Sequence, residues 1–353
     1  MRLASSHTSA KTAQLRFCGD AVPGLKRVAR GKSFRYLDSK GKPARTKDLE
    51  RIKSLVIPPA WKNVWISPHE NGHLQATGID ARGRKQYRYH SDWTRHRNLS
   101  KFSGLLDFAN ALPAIRRRIR RDMDQRGLGK DKVCATVVHL LDETRIRIGN
   151  AEYAKENDSY GLTTILDQHA KIVGGQIRLR FKAKSGKMCE MVIDSPQIAK
   201  IAKNCQDVPG QELFAYLDPH GKPRDITSSD INDYLLKISG LPLTAKDFRT
   251  WGGTTIAAET LMKFGPPKYP DTGEPITKAE LKRRETAAVK AASSVLYNTV
   301  ATCRKFYVHP MLIEAYADAR LVKAFAKAAR DSKPRELRGH ERAVVEFLKM
   351  MAR

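Results

Sequence analysis

The chain has 353 residues, 41% hydrophobic and 29% charged, which is enough apolar material for a sizeable core and a length that predicts two domains. Its 65 basic and 37 acidic residues leave a net charge of +28 and a pI near 10.0, so the expected partner is a polyanion: nucleic acid, an anionic membrane surface or an acidic protein. No apolar run approaches the roughly 20 residues of a membrane span. Met1–Ala10 lacks the apolar stretch of a secretory leader, and five scattered cysteines with no Cys-x-x-Cys spacing predict reduced thiols, no zinc site and a cytoplasmic address.

Half of the net charge lies in the first hundred residues, which hold 21 Lys and Arg against 7 Asp and Glu. Phe34–Leu37 reads as a strand before the turn-forming Asp38-Ser39-Lys40-Gly41, and Leu49, Ile52 and Leu55 give a short helix ended by Pro58-Pro59. Val64–Ile66, His73–Ile79 and Gln86–Tyr89 are aromatic or β-branched segments separated by turns, so residues 1–100 are predicted to form a small β-rich domain. From Lys101 the spacing becomes helical. Ile115, Ile119 and Met123 recur every fourth residue, leaving Arg116, Arg117, Arg118, Arg120 and Arg121 on faces predicted to be solvated. Val133, Val137, Leu140 and Leu141 predict a helix that closes near Gly149. In Ile177–Lys184 apolar and basic residues alternate, and Ser185-Gly186 turns the chain into Met188–Ile193, a single hairpin with Arg178, Arg180, Lys182 and Lys184 on one face.

Ile231, Tyr234, Leu235 and Ile238 predict a helix closed by Gly240. Thr244 with Asp247 predicts a cap opening the next, with Arg249 in its first turn beside amides that favour anions. Gly265–Pro275 is a predicted loop, Lys278–Ser293 a helix, and Leu321–Met351 a helical tail interrupted at Asp331–Arg338. The predicted fold class is α+β, a small β-rich N-terminal domain followed by a mainly α-helical domain with a β-hairpin. Neither of the glycine-rich phosphate-cradling patterns is present and the 10 histidines are dispersed, so no nucleotide, metal or other cofactor is expected.

Three stretches carry chemistry: Thr144–Asn150, where arginines alternate with apolar residues; the basic face ending at Lys184; and Lys246–Trp251. Taken with Ile57–Ile66, Gln75–His90, Gly161-Leu162-Thr163-Thr164 and Cys303–Pro310, in that family's order, they make the chain resemble the type IB DNA topoisomerases, in the short bacterial form related to the poxvirus enzymes. The resemblance implies a monomeric, nucleoid-associated enzyme. Its DNA-binding cap over residues 1–100 and its catalytic domain over 101–353, of the topoisomerase IB and tyrosine recombinase type, would close around duplex DNA and relax supercoils of either sign without ATP or metal. It implies Tyr307 as the nucleophile that forms a 3′-phosphotyrosyl link, Arg147 and Arg249 on the non-bridging phosphate oxygens, and Lys184 as the acid for the departing 5′-oxygen. Asn298 stands where poxvirus enzymes carry histidine; it can donate a hydrogen bond but cannot titrate. Arg84, Gln86, Tyr87, Tyr89, Tyr153 and Arg180 are the implied DNA contacts.

Two positions depart from the family pattern, Ala183 before the lysine and Tyr297 before Asn298, each where glycine is usual. A tyrosine recombinase would share the Arg, Lys, Arg, Tyr set but usually has histidine at the place of Lys246, and has no counterpart of Gln75–His90. A non-catalytic nucleoid or RNA-binding protein would use the charge alone and has no need of a tyrosine.

Overall fold

The structure, a computed structural model, describes residues 14–31, 33–94, 102, 104–330 and 336–351; Met1–Ala10 and most of the Asp331–Arg338 break lie outside the described residues. Two units divide the chain, Met1–Ser103 and Gly104–Arg353. In the first, β1 (Leu25–Arg30), β2 (Ser33–Leu37), β3 (Lys62–Ile66), β4 (Leu74–Ile79) and β5 (Lys85–Tyr89) make an antiparallel sheet in the order β2-β1-β3-β4-β5. Helix α1 (Thr46–Ser54) lays Ile52 on Leu25, Val64, Ile66 and Ala76, while Trp65, alternating with them along β3, joins Cys18 and Leu74 in a second cluster. Strand β1 has no counterpart in the sequence reading. Only Leu25 of its six residues is fully buried, so no apolar alternation exists to be read. Its Arg27 donates to the carbonyls of Ile57, Pro58, Pro59 and Trp61, which fixes the course of the Pro58-Pro59 segment.

The second unit runs α2 (Leu105–Met123), α3 (Lys130–Thr144), α4 (Ala151–Asn157), β6 (Ala170–Val173), β7 (Gln176–Lys182), β8 (Met188–Asp194), α5 (Pro196–Gln206), β9 (Ala215–Leu217) and β10 (Pro223–Asp225). It continues with α6 (Ser228–Ser239), α7 (Ala245–Lys263), α8 (Lys278–Val295), α9 (Val300–Phe306), α10 (Leu312–Ala317), α11 (Arg320–Arg330) and α12 (Gly339–Met351). Phe248, Trp251, Ala257, Ala258 and Leu261 bury the length of α7, and α2, α3, α6, α8, α10 and α12 pack around it. The architecture is α+β, as the sequence reads. No helix of the described residues is long and apolar enough to cross a membrane, and all five cysteines are buried and free.

Several local expectations are corrected. The single hairpin is a three-stranded sheet in the order β6-β7-β8, with β9 and β10 as a separate ribbon. Helix α3 stops at Thr144, well before Gly149, because Arg145 takes a left-handed conformation at φ 58°. The Thr244–Asp247 cap forms, the Asp247 carboxylate accepting from Thr244 N at 2.8 Å, but Arg249 is the fifth residue of α7, one turn beyond its free amides.

Arg116 is not on a solvated face. Its guanidinium donates to Asp142 at 2.7 and 3.2 Å and to Glu341 at 2.7 and 2.8 Å. Asp142 also accepts from Arg145 Nη1 at 2.8 Å, and Glu341 from Trp251 Nε1 at 3.1 Å. Helices α2, α3, α7 and α12 therefore meet over two guanidinium groups and two carboxylates, a set that balances internally. Arg118 and Arg120 pair with Asp122 and Glu336, and Arg117 and Arg121 are exposed as expected.

Candidate active site

The left-handed turn at Arg145 is what aims Arg147. Arg145 is held by Asp142, and its side chain passes so close to α7 that a Cβ on Gly252 would lie 2.4 Å from Arg145 Nε. Past this turn the chain runs out of helix, and the Gly161–Thr164 motif clamps it: Leu162 N donates to Arg147 O at 2.9 Å and Thr163 N to Ile148 O at 2.7 Å. Asn150 then caps α4 by accepting from Tyr153 N at 2.8 Å. The two motifs, distinct in sequence, form one structure.

At the end of α8 the Asn298 N–H bonds to Ser293 O at 3.1 Å and the Tyr297 N–H to Ser294 O at 3.3 Å, with Tyr297 at φ 49°. This paired closure normally takes glycine at the left-handed position, which explains the usual residue there; a tyrosine costs about 1 kcal/mol of strain. The turn serves both arginines. Arg249, 4% exposed, donates Nη1 to the Arg145 carbonyl and Nη2 to the Leu296 carbonyl at 2.8 Å, and its Nε is buried with no hydrogen-bond partner. Burial draws its pKa down to about 10, partly offset by neighbouring Tyr307, so the guanidinium stays charged at neutral pH. Arg147, whose pKa burial also lowers, donates Nη2 to Asn298 Oδ1. That leaves Asn298 Nδ2 buried with no conventional hydrogen bond, against the weakly polar Cys303 thiol.

Tyr307 follows the last turn of α9. Its ring packs on Val289, Leu296 and Cys303, and the Arg249 guanidinium lies 5.2 Å from the ring centre. Thr254 fixes the backbone by donating to Tyr307 O and accepting from His309 N, both at 3.2 Å. Gly253 permits this approach, since a Cβ there would stand 2.5 Å from Tyr307 O.

These elements enclose a cleft of about 410 Å³ lined by Arg147, Tyr153, Tyr160, Lys184, Lys246, Arg249 and Tyr307, among others, with no carboxylate in its wall among the described residues. Lys184 enters from the turn between β7 and β8, its Nζ 5.2 Å over the Tyr153 ring. Four cations facing one cavity without a counter-charge form an anion site, and the forked guanidinium groups suit a tetrahedral oxyanion. No cluster of three or more His, Cys, Asp or Glu suited to a metal occurs among the described residues.

Of the sequence candidates, the cleft gathers Arg147, Tyr153, Lys184, Arg249 and Tyr307, with Asn298 behind Arg147. Arg180 is not among the lining residues; it makes an exposed pair with Glu190 at 2.9 Å. In the other unit Arg84 forks onto Asp80 at 3.0 and 2.8 Å and Gln86 donates to the same carboxylate at 2.9 Å, while Tyr87 and Tyr89 are exposed and stacked 6.0 Å apart. Lys246, read in the sequence as the start of the Lys246–Trp251 stretch without a role of its own, and Tyr160, which was not a sequence candidate, also line the cleft. The Gly252-Gly253 pair inside a helix was the readable signal for the close approach of Arg145 and Tyr307.

The family model for the catalytic core of eukaryotic DNA topoisomerase I matches residues 90–330, which include every cleft residue named above, and the model for the N-terminal domain of bacterial DNA topoisomerase IB matches residues 33–80. DNA topoisomerase 1B of Acanthamoeba polyphaga mimivirus is 32% identical over 300 residues, 84% of this chain and 88% of the viral one. DNA topoisomerase I of Monkeypox virus is 21% identical over 72% of this chain and 76% of its own. Vaccinia virus DNA topoisomerase 1B is 29% identical over 33% of this chain and 37% of its own. With more than half the chain matched by a family model and a relative of this coverage, the chain belongs to the type IB DNA topoisomerases, isomerases that act on DNA.

Proposed function

We propose that the protein relaxes positive and negative supercoils by cutting and resealing one strand of duplex DNA through Tyr307, without nucleotide or metal. The observation that carries this is the Arg249 guanidinium over the Tyr307 ring in a cleft that also holds Arg147 and Lys184 and, among the described residues, no carboxylate. A phosphodiester seated there turns its non-bridging oxygens toward the Arg249 and Arg147 guanidinium groups, donors that stabilise the negative charge as it builds, with Asn298 holding Arg147 from behind. The Tyr307 oxygen attacks phosphorus, its proton leaving to solvent, while the bond to the 5′-oxygen breaks and Lys184 supplies a proton to that oxygen. The phosphotyrosyl ester conserves the energy of the broken bond, so the reverse attack by the 5′-hydroxyl reseals the strand with no ATP. In this reading residues 101–353 are the catalytic domain and residues 1–100 the DNA-binding cap, a monomer that grips duplex DNA. The exposed Tyr87 and Tyr89 on its basic strand would meet base edges, and Arg84 and Gln86, which hold Asp80 in the free protein, would exchange that carboxylate for phosphate. A DNA-handling role also fits a cytoplasmic, nucleoid-associated location.

The test is incubation of negatively and of positively supercoiled plasmid with the protein in EDTA without ATP, then detergent to trap adducts. Relaxation of both, with protein left on a 3′ end, is the expected result. Tight, salt-sensitive binding without relaxation would instead make this an architectural protein.

Gly253→Ala tests the placement of the nucleophile. The new methyl must displace the Tyr307 carbonyl, 2.5 Å from the Cβ position, and also crowds Leu296, whose Cδ1 is 3.1 Å away. A shift on the order of 1 Å is expected to slow adduct formation about 10²-fold. Adduct yield at fixed time, compared with duplex affinity, checks it.

A further inference from the structure

The turn that carries Lys184 is fastened to the turn that holds both arginines. Between β7 and β8, Ala183 N donates to Lys187 O at 2.7 Å and Gly186 N to Ala183 O at 3.1 Å, closing a backbone loop with Lys184 inside it. From the far side of that loop the Lys187 ammonium reaches across and donates to the Asn298 carbonyl at 2.9 Å. The same three-residue turn gives the Leu296 carbonyl to Arg249 and Asn298 Oδ1 to Arg147. Between these two residues, Tyr297 lies beside Cys189 on β8, two positions beyond Lys187. The proton donor and the two phosphate-holding groups thus hang from one short stretch of chain.

We infer that Lys187 is a positioning residue for Lys184, locking the β7–β8 turn onto the Leu296–Asn298 turn and so setting the proton donor's place relative to the arginine pair. The inference rests on the reading of Lys184 as the acid. Lysine is a point charge on a flexible four-carbon stem, so its working position is only as well defined as the backbone from which it springs. That backbone is the tip of a hairpin. A charged donor on a carbonyl across the gap is the stronger kind of hydrogen bond, and Lys187 uses it on the protein rather than on substrate.

The step that Lys187 serves is the departure of the 5′-oxygen: the bond from phosphorus to that oxygen breaks, the electron pair stays on it, and Lys184 Nζ delivers the proton. If sulfur replaces the bridging 5′-oxygen, the leaving group is a thiolate, whose acid has a pKa of about 8.5, and no proton is needed. A defect in proton donation therefore disappears on the sulfur substrate, whereas a defect in folding, binding or phosphate orientation persists.

The experiment uses the full chain and a duplex built on a cleavage site first mapped on relaxed plasmid, with a 5′-oxygen or 5′-sulfur bridge. Single-turnover adduct formation is followed for the parent, Lys187→Met, Lys187→Arg and Lys184→Ala. Lys187→Met is expected to cleave the oxygen substrate roughly tenfold more slowly, a barrier change of about 1.4 kcal/mol. It should cleave the sulfur substrate at the parent rate with unchanged duplex affinity, and Lys187→Arg should recover most of the loss. Parent-like rates for Lys187→Met on oxygen, equal losses on both substrates or weakened DNA binding would each overturn the inference. If Lys184→Ala is as slow on sulfur as on oxygen, the acid reading itself fails, and the inference falls with it. If sulfur rescues Lys184→Ala but not Lys187→Met, the acid reading stands and the inference alone is wrong.

Discussion

Tyr307→Phe is expected to bind duplex DNA within about twofold of the parent affinity and to lower relaxation by about 10⁴-fold or more, with no protein retained on DNA after detergent. The substitution removes one oxygen and leaves the ring, whose packing on Val289, Leu296 and Cys303 holds the end of α9 in place. The fold and the Arg249 contact with the ring face should persist, so a loss of activity reports chemistry. The control matters because Tyr153 and Tyr160 line the same cleft. Tyr160 donates its hydroxyl to Asp158 at 3.0 Å, a bond that raises its pKa above the ordinary 10.0 and disfavours the phenolate. Tyr153 lies beneath the Lys184 ammonium, on the side of the leaving group in the proposed geometry. An adduct that survives in Tyr307→Phe would transfer the nucleophile to one of these two, and peptide mapping of the DNA-linked fragment would say which.

Glu341→Gln is expected to cost about 3 kcal/mol of folding stability at pH 7, far more than removal of an exposed cation. Glu341 is 0% exposed, and without its charge Arg116 and Arg145 share a single buried carboxylate, Asp142. The pH dependence gives a second reading of the same group. Burial by itself would raise the carboxyl pKa, but the hydrogen bonds and charge of Arg116 overcome it and hold the group at about 2, below its ordinary 4.5. A depressed folded-state value means the stabilisation is complete above about pH 4.5 and is lost as pH falls toward 2. The gap between parent and variant should therefore be widest at neutral pH and close on acidification through that window. Urea unfolding at pH 7 and near pH 3 measures it; equal stability at pH 7 would show that the network contributes nothing net.

Arg147, Tyr153, Lys184, Arg249 and Tyr307 were legible through the resemblance to a family pattern, and short motifs of the chain carry several of them. Tyr307 lies at the end of a helix that begins with a Thr299 cap, and Arg249 belongs to a helix announced by Thr244 and Asp247. What escaped depends on partners remote in sequence or on backbone that the residue type does not advertise. Arg116 looks like its neighbours Arg117 and Arg121, and only carboxylates 26 and 225 positions away single it out. Arg145 and Tyr297 occupy left-handed positions that glycine would have signalled, so the helix end at Thr144 and the shape of the Asn298 turn stayed hidden. Arg249 shows the same limit on a smaller scale: its helix was placed correctly, yet the carbonyls of Arg145 and Leu296 that accept from its guanidinium lie 104 and 47 positions away. Strand β6 was within reach, since Gly174-Gly175 separates it from β7 as a hairpin turn does.

The 225-residue separation between Arg116 and Glu341 also sets an order of events during synthesis. Contacts that close so long a loop form late, and this one waits for α12, the last helix described. A chain emerging from the ribosome presents Tyr307 before Glu341 exists, at a stage when Arg116 and Arg145 still lack their second counter-charge and the Arg145 carbonyl that holds Arg249 is not yet fixed. On the proposed mechanism, strand breakage then becomes available only once Glu341 has been made and has packed onto Arg116. A product truncated ahead of Glu341 would bind the polyanion through its charge and leave the strands whole.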